Sequence, residues 1–434
     1  MIVPRNRLLF WFAVVAVPFS LVAGVSPPAF GLACAAVGCL VVIAVVDALG
    51  ARGALAGLRV ELPPVVRMAL QCEAKIELTI HHPTRPVRTL RLALPMPADF
   101  EQPREEMLVT LPGGSESSRL PWLCRPRHRG TFHLSSAAAE ADSPLGFWGI
   151  RARVPVTSEI RVYPNLAQER KSLALLLRGA IGFHAQRQVG KGREFEKLRE
   201  YVPGDGSEDI HWKATARKGR PITKVFQVER TQEVYLAIDS SRLSARQDAL
   251  ESFLQASLLV GLAAEQQGDL FGLITFSDRV EKFVRARNGR AHYDVCREAI
   301  HALEPKPVNP DFDDVCSFIR LRLRRRALIV FLTALDDPVL AENFVRASGL
   351  ICRQHLLLVG MIPPPGAAPL FTDPDVADTD ALYEELGGHL RWHNLEELGG
   401  VLQRRGVTFF MLDGQQTGHQ LVSRYLSVKR RQLV

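Results

Sequence analysis

Two long apolar runs open the chain, over residues 8–25 and 29–46, and only Ser26, Pro27 and Pro28 separate them. Each run has about the length that a helix needs to cross a bilayer. Because so short a link reverses the chain at once, the pattern predicts a transmembrane helical hairpin over residues 1–57. A second apolar run, rather than polar mature sequence, follows the first, so a cleavable signal peptide is not expected.

Basic residues flank this pair of runs on both sides. Arg5 and Arg7 precede the pair, and Arg52 and Arg59 follow it. The positive-inside rule therefore predicts that both ends of the hairpin lie in the cytoplasm. We expect a multi-pass protein of the inner, cytoplasmic membrane whose soluble domains face the cytoplasm.

Short stretches of alternating apolar and polar residues come next, separated by proline and glycine clusters. They are residues 74–81, 89–94, 106–111, 129–135 and 159–163. A period of two is typical of strands with one buried face. It predicts a small antiparallel β-sandwich over residues 58–165. Residues 166–229 then contain a linker with one helix, up to residue 192, and an unusual charged segment after it.

From residue 230 the pattern changes to apolar strands that alternate with helices. The predicted strands are residues 234–238, 270–276, 327–333, 355–362 and 407–412, and the predicted helices are residues 245–267, 293–303, 314–323, 341–354, 379–405 and 416–430. Near-continuous apolar strands between helices indicate a parallel sheet that is covered on both faces. The pattern predicts a doubly wound α/β domain over residues 230–434.

Composition excludes some classes of protein. With 47% hydrophobic and 23% charged residues in 434, the chain is typical of a globular protein of two or three domains. The formal charge is +8, but acidic and basic residues are interspersed, so we expect no nucleic-acid partner. The densest basic runs, residues 320–326 and 429–431, are interpreted as a solvated helix end and a tail. Anionic lipid headgroups fit them better than DNA.

The seven cysteines match no metal-binding spacing. Their odd number, with two in an apolar run and the others scattered singly, predicts reduced thiols in a cytosolic domain rather than a disulfide framework.

The signature segment, residues 192–229, is dense in charged and aromatic residues that follow neither a helical nor a strand period. Residues 203–206 have the composition of a turn, so two charged arms should lie side by side. Asp205 or Ser207 is expected to cap a short helix that Gly219 ends.

Two interpretations of this segment stay open. It can be a partner-docking surface, because Trp, Tyr and Arg dominate interface energetics. It can also be a structural brace, in which acids pair with bases, the aromatic residues fill a seam between domains, and His211 forms structural hydrogen bonds. The residues concerned are Arg193, Glu194, Arg199, Tyr201, Gly204, Asp205, His211, Trp212, Lys213 and Arg217.

The segment also carries a family resemblance. It reads Gly-Arg-Glu-Phe from residue 192, Leu-Arg-Glu-Tyr-Val-Pro-Gly-Asp from residue 198 and Ile-His-Trp-Lys-Ala-Thr-Ala-Arg from residue 210. Upstream, Arg-Gly-Thr-Phe begins at residue 129 and Ser-Pro-Leu-Gly-Phe-Trp at residue 143. This order resembles the bacterial domain of unknown function 58, which usually has Asp in place of Ser143. The resemblance implies a membrane-anchored protein with a von Willebrand factor A-like domain, often encoded beside a MoxR-type AAA+ ATPase.

A metal site is the first chemistry to consider, because ligands of such sheets gather where the strands end. Asp239 and Ser241 resemble the start of the metal-ion-dependent adhesion site of von Willebrand A domains, Asp-x-Ser-x-Ser, but Leu243 replaces the second serine. The later aspartate of that site is replaced by Ala334, with Asp336 slightly downstream. Asp239, Ser241 and Asp336 are therefore the candidate ligands of a degenerate Mg²⁺ site. The alternative is that Asp239 caps the following turn.

Catalytic constellations are not evident. His389 and His393 have the i, i+4 spacing of metal ligands on a helix, but no Glu follows the first histidine as in zinc proteases. We therefore favour a non-enzymatic, membrane-tethered adaptor or assembly protein that binds client proteins and, as the resemblance implies, a MoxR-type AAA+ ATPase. The alternatives are a divalent-metal-dependent enzyme centred on Asp239, and a cell-envelope or secretion factor whose β-sandwich is the contact domain.

Overall fold

The computed structural model describes residues 1–25, 30–81, 89–111, 117–167, 173–174, 189–203, 206–227, 232–370, 379–414 and 416–431. The chain forms two compact units, Met1–Asn165 and Leu166–Val434. Most of the predicted linker, including its helix, lies outside the described residues.

Two apolar helices open the first unit, α1 over Asn6–Val25 and α2 over Phe30–Gly50. Most of their large apolar side chains are exposed. By length and composition, α2 can cross a membrane, and no other helix in the described part of the chain meets the same criteria. The apolar stretch of α1, Asn6–Val22, is shorter, and Pro18 lies inside it. The predicted pair of membrane spans is thus supported for α2.

The remainder of the first unit is built from two β-sheets. Its strands are β1 Ile2–Pro4, β2 Arg59–Glu61, β3 Val65–Ala69, β4 Ala74–His81, β5 Leu90–Ala93, β6 Phe100–Glu101, β7 Met107–Val109, β8 Ser117–Pro126, β9 Gly130–Asp142 and β10 Trp148–Tyr163. One sheet has the order β1-β10-β9-β5-β7 with β3 added on β10, and the other has the order β2-β4-β8-β6. Buried residues of both sheets share one hydrophobic core, as in a sandwich.

The alternation in β4 shows how the sequence produces this packing. Ile76, Leu78 and Ile80 are buried, whereas Glu77 between them is exposed. The structure corrects two details of the prediction. β3 pairs with β10 in parallel, so the sheet is mixed. β9 continues to Asp142 through alanines of low strand propensity, because the ladder with β10 supplies hydrogen-bond partners that the local sequence cannot indicate.

The signature segment contains a two-stranded antiparallel sheet and a short helix. β11 spans Val189–Glu200 and pairs with β12, Ile222–Gln227. Between them lie a 3₁₀ turn, Ser207–Asp209, and helix α3, Trp212–Lys218. The two arms therefore lie side by side, as the central turn predicts.

The α/β domain has a single sheet with helices on both faces. Its strands are β13 Glu233–Asp239, β14 Leu270–Phe276, β15 Val280–Arg287, β16 Leu328–Leu332, β17 Leu356–Met361 and β18 Val407–Met411. Its helices are α4 Ala249–Gln266, α5 Arg290–Ile300, α6 Phe312–Arg322, α7 Pro338–Ser348, α8 Thr379–Arg404 and α9 Thr417–Arg430. The strand order is β15-β14-β13-β16-β17-β18, and all neighbours except β14 and β15 are parallel.

Each face of this sheet has its own hydrophobic core. Helices α4, α5 and α9 contribute to one core, and α6, α7 and α8 contribute to the other. The doubly wound prediction is correct for the central strands but misses the antiparallel edge strand β15. Its sequence, Val-Glu-Lys-Phe-Val-Arg-Ala-Arg, is only half buried, so it lacks the continuous apolar run of its neighbours. The predicted start of helix α4 is also wrong, because residues 242–248 form a 3₁₀ helix that ends at Asp248 with a positive φ of 52°.

Candidate functional site

Asp239 lies at the carboxyl end of the central strand β13 and is fully buried. Its Oδ1 accepts a hydrogen bond of 2.7 Å from the backbone N–H of Ser241, and its Oδ2 accepts one of 2.6 Å from the hydroxyl of Thr333. Burial raises the pKa of the Asp239 carboxyl above its ordinary value, against the lowering effect of these hydrogen bonds. The turn-capping alternative for Asp239 is confirmed by its bond to Ser241. Sequence patterning did not single out Thr333, because its role depends on the pairing of β13 with β16.

A second polar network lies beside Asp239. The hydroxyl of Ser240 donates to Glu281 at 3.2 Å, and the ammonium of Lys306 lies 3.0 Å from the same carboxylate oxygen. Burial opposes ionisation of Glu281, but hydrogen bonds from Ser277 and Lys306 and the charge of Lys306 lower its pKa below the ordinary value. Glu281 is on the missed strand β15, so sequence reasoning missed it as well. The network holds the β14–β15 edge and the loop before α6 against the end of β13.

The other predicted metal ligand, Asp336, lies after β16 and pairs with Arg246 at 2.6 Å. Its neighbour Asp337 caps helix α7 by accepting from the backbone N–H of Val339 at 3.0 Å. Across the described ranges, no three His, Cys, Asp or Glu side chains come together in a way that could hold a metal ion.

These residues do not fit a Mg²⁺ ion, which demands near-octahedral oxygen coordination. Both carboxylate oxygens of Asp239 already accept hydrogen bonds, and the hydroxyl of Ser241 accepts one of 3.3 Å from the backbone N–H of Leu243. The assignment of Asp239, Ser241 and Asp336 as metal ligands stays a prediction.

A groove of about 940 Å³ lies at the same edge of the sheet, between helix α7, helix α8 and the loop that follows β17. Its apolar lining includes Leu335, Leu395, Leu398 and Val401, and its charged lining consists of Arg246, Asp336, Glu342, Arg391, Glu397 and Arg405. Helix α8 approaches the loop very closely, since a Cβ at Gly388 would lie 1.9 Å from the carbonyl oxygen of Gly366. Asp336 contributes a buried Oδ1 with no hydrogen-bond partner among the residues that the structure describes.

The short helix α3 of the signature segment is held by caps at both ends. His211 is its N-cap, and Nδ1 of His211 accepts a 3.0 Å hydrogen bond from the backbone N–H of Ala214. Gly219 ends the helix in the left-handed conformation, with φ of 66°. The structural role expected for His211 and the stop at Gly219 are confirmed. The expected cap is wrong for Ser207, because the chain after the 3₁₀ turn extends at Ile210 to bridge Thr223 before the helix begins.

Large apolar side chains of this segment face solvent. Trp212 is 70% exposed, and Leu198, Tyr201 and Val202 are exposed as well. The basic side chains of Lys213 and Arg217 are also exposed. Trp212 is therefore mostly uncovered by the residues that the structure describes. The docking and brace interpretations both stay predictions.

For four candidate residues of the segment, the side-chain surroundings are not described. Gly204 and Asp205 lie outside the described residues, and the side chains of Arg193 and Glu194 are not described. Arg199 donates to the backbone carbonyl of Glu200 at 3.2 Å, and Glu200 pairs with Arg220 at 2.5 Å.

The second motif of the resemblance, residues 143–148, binds the end of helix α2 within the first unit. Asp47, in the last turn of α2, is buried and accepts hydrogen bonds from the Ser143 hydroxyl at 2.5 Å and from the backbone N–H of Leu145 at 2.9 Å. The indole of Trp148 donates to the carbonyl of Ala44 at 2.8 Å. Ser143, at the position where the resemblance expects a carboxylate, thus donates its hydroxyl hydrogen bond to the carboxylate of Asp47. The backbone N–H of Arg5, just before α1, bonds the carbonyl of Phe147 in the same turn.

The two histidines of helix α8, His389 and His393, contact other groups of the protein. Nδ1 of His389 accepts a hydrogen bond of 3.1 Å from the backbone N–H of Leu370, and His393 lies 3.4 Å from Glu397.

Similarity to solved structures is weak. The conserved hypothetical protein BatB from Bacteroides thetaiotaomicron is 15% identical with a TM-score of 0.31, and the alignment covers 46% of this chain and 99% of that chain. Proximal thread matrix protein 1 from the mussel byssus is 11% identical with a TM-score of 0.27, covering 44% of each chain. A protein of unknown function from Porphyromonas gingivalis W83 is 10% identical with a TM-score of 0.17, covering 39% of this chain and 94% of that chain.

The family comparison is more specific. No curated protein matches the sequence. Residues 197–367, from β11 in the signature segment to the loop after β17, match the family described as "Protein of unknown function DUF58". This match agrees with the resemblance that the signature residues carry, and it supports a DUF58 region over residues 197–367 of this chain.

Proposed function

We propose that this chain is a membrane-tethered, non-enzymatic adaptor or assembly protein that binds protein partners at the cytosolic face. The observation that carries the proposal is the exposed Trp212 on a helix that is capped at both ends. A tryptophan with 70% of its surface exposed, on a fixed helix and near other exposed apolar side chains, is typical of an interaction site, and tryptophan is among the residues most enriched at the centres of interfaces.

The surroundings of Trp212 suit a docking surface. Exposed apolar side chains lie close along the chain at Leu198, Tyr201 and Val202, and Lys213 and Arg217 add positive charge on α3 itself. An aromatic anchor with basic neighbours favours a partner surface that combines an apolar pocket with acidic residues.

The groove beside Asp336 is a second place for the same partner or its client. Its volume of about 940 Å³ is within the range of sites that enclose a small ligand or a few side chains. The apolar lining would receive an apolar side chain, and the unpartnered Oδ1 of Asp336 would accept a hydrogen bond from the bound segment.

The tether is supplied by helix α2, with α1 as the second arm of a transmembrane hairpin. Helix α1 begins and helix α2 ends beside the same turn, residues 143–148, which is the arrangement that a hairpin with both ends on one side of the bilayer requires. Lipid would cover the exposed apolar side chains of both helices. By the positive-inside rule, the basic residues Arg5, Arg7 and Arg52 support a cytoplasmic location for that side.

The family resemblance suggests an AAA+ ATPase of the MoxR type as the principal partner. Such an ATPase would remodel the client proteins that the adaptor holds at the membrane. Because a membrane tether confines both partners, even modest affinity at the Trp212 surface would give stable capture.

Co-purification from mild detergent tests the proposal. We expect Trp212→Ala to reduce capture of the ATPase at least tenfold, the loss typical of an aromatic hot spot, and Arg199→Ala to weaken it less. Tyr383→Ala is the matched control, because Tyr383 is a 69% exposed aromatic residue on another helix, α8. Retention of the ATPase by a folded Trp212→Ala protein at the wild-type level would refute the docking role of the signature segment.

A further inference from the structure

We propose that the amino-terminal edge of the α/β sheet binds the surface of an anionic lipid bilayer. The surface, called the arginine edge here, is formed by the end of helix α6, the loop before β16 and the turn before β17. Its residues are Arg320, Arg322, Arg324, Arg325, Arg326 and Arg353.

The structure brings two separate segments together to form this edge. Helix α6 ends at Arg322, and the next residue, Leu323, is buried and anchors the loop. The side-chain amide of Gln354 donates to the carbonyls of Leu323 at 3.0 Å and Arg324 at 3.4 Å. Arg353 precedes Gln354 directly, so its positive charge is added to that of the loop.

The charge of the arginine edge is not neutralised within the protein. All six side chains are exposed, and none has an acidic partner in the part of the chain that the structure describes. Other exposed arginines of the same unit do have such partners: Arg246 pairs with Asp336 at 2.6 Å and Arg346 pairs with Asp313 at 2.8 Å. The edge therefore presents uncompensated guanidinium groups, which bind phosphate oxygens well.

Exposed leucines favour a lipid surface over a nucleic acid or a soluble polyanion. Leu321 in the last turn of α6 is 77% exposed, and Leu350 in the turn before β17 is 41% exposed. Basic residues combined with exposed aliphatic side chains suit the interface of a bilayer, where the arginines bind headgroup phosphates and the leucines enter the acyl boundary. A phosphate polymer in water would leave both leucines uncovered.

The inference rests on the proposed membrane tether, which would keep the domain beside the bilayer. It adds an orientation to that proposal. The strands β16 and β17 run from the arginine edge to the groove beside Asp336, so contact of the edge with lipid would direct the groove away from the membrane, toward cytosolic partners.

Hydrogen–deuterium exchange on the full chain in lipid nanodiscs tests the proposal. We expect the amides of residues 320–327 and 350–354 to exchange roughly tenfold more slowly in nanodiscs that contain phosphatidylglycerol than in pure phosphatidylcholine, since each basic residue contributes about fivefold to binding at an anionic surface. High salt should abolish the difference. A triple variant with Arg324→Gln, Arg325→Gln and Arg326→Gln should also lose the difference in exchange between the two lipids.

The charge-matched control combines Arg104→Gln, Arg119→Gln and Arg153→Gln, which are exposed arginines of the first unit. It should keep the lipid-dependent protection. Equal exchange in both lipids would overturn the proposal, as would protection of these amides by free polyphosphate or an oligonucleotide in phosphatidylcholine nanodiscs. Co-purification of the ATPase with wild type and Trp212→Ala is measured separately. It tests the adaptor role, so a failure of that role can be told apart from a failure of the lipid contact.

Discussion

The hydroxyl of Thr333 donates a hydrogen bond of 2.6 Å to Oδ2 of Asp239, although 94 residues separate them in the chain. The bond joins the carboxyl ends of the neighbouring parallel strands β13 and β16. The Thr333 hydroxyl thus gives the buried Asp239 carboxyl group a partner from within the protein. In an adhesion site, a metal ion takes that role. Donors of the protein itself thus satisfy both carboxylate oxygens of Asp239.

Removal of this donor should destabilise the α/β domain. Thr333→Val keeps the shape of the side chain but leaves Oδ2 of Asp239 without its partner, so we expect a loss of about 1–3 kcal/mol in the free energy of unfolding. Urea denaturation followed by circular dichroism measures it. Thr408→Val, on the peripheral strand β18 where the side chain is exposed, is the control and should change the stability little. An unchanged midpoint for Thr333→Val would contradict the role of this bond.

Asp239 should also make stability depend on pH. Its pKa in the folded state is raised, so the folded protein binds this proton more tightly than the unfolded chain does. The stabilisation is fully present below the unfolded pKa of about 3.8 and is lost as the pH rises through the folded pKa. Asp239→Asn should remove this contribution, which comparison of the two pH–stability profiles would reveal. Identical profiles for the two proteins would show that Asp239 does not titrate as expected.

Divalent metal should have no effect on the folded protein. The oxygens of Asp239 are occupied by Ser241 and Thr333, and Asp336 is paired with Arg246. We therefore expect the same melting temperature with EDTA and with excess Mg²⁺. An upward shift with Mg²⁺ that Asp239→Asn abolishes would instead support the degenerate metal site and the enzyme alternative.

A partly buried ion pair fixes the last helix to the domain. Lys429 in α9 lies 2.8 Å from the buried carboxylate of Asp269, to which the Tyr425 hydroxyl also donates. Burial and the neighbouring charge of Asp269 raise the pKa of Tyr425, so the hydroxyl stays protonated as a donor. Lys429→Met leaves Asp269 without its cation and should cost about 3 kcal/mol, measured by thermal unfolding. Arg431→Met, an exposed position just beyond α9, should have little effect.

Loss of the Asp47 contacts should release the turn at residues 143–148. Asp47→Ala removes the acceptor of the Ser143 hydroxyl and of the backbone N–H groups of Leu145 and Phe147. We expect amide exchange of this turn to increase by at least tenfold, as for the loss of about 1.5 kcal/mol. Asp142→Ala is a suitable comparison, because Asp142 is more exposed and contacts Arg5 at the edge of the sheet. If exchange in the turn were unchanged in Asp47→Ala, Asp47 would not be its anchor.

His355 should weaken the α/β domain in mild acid. It is buried just before β17, both ring nitrogens lack hydrogen-bond partners in the described chain, and burial lowers its pKa below 6.5. The unfolded chain therefore takes up this proton first, so stability falls as the pH drops from about 6.5 toward the folded pKa. His355→Leu should flatten that part of the profile. His128→Leu, at an exposed position in the first unit, is the comparison, and it should change the unfolding of the α/β domain little.

Most elements of the fold could be predicted from local pattern, and the misses have physical causes. The strands at residues 234–238 and 270–276 are continuous apolar runs, and the structure places β13 and β14 there. Strand β15 was missed because an edge strand with one covered face has a mixed sequence. The site was predicted less well: Asp239 was found from its position after a strand, whereas Glu281 and Thr333 have no local signal.

The sequence by itself determined the type and order of the elements and the apolar character of α2. It also determined which polar side chains follow the strand ends. These are properties of a few consecutive residues, whose periodicity and turn preferences act over short distances. Only the tertiary structure decided that Thr333 contacts Asp239, that Asp47 holds Ser143, and that Gln354 joins Arg353 to the loop before β16. Each pair comes from separate segments of the chain, and such contacts are set by how sheets and helices pack, which no local pattern specifies.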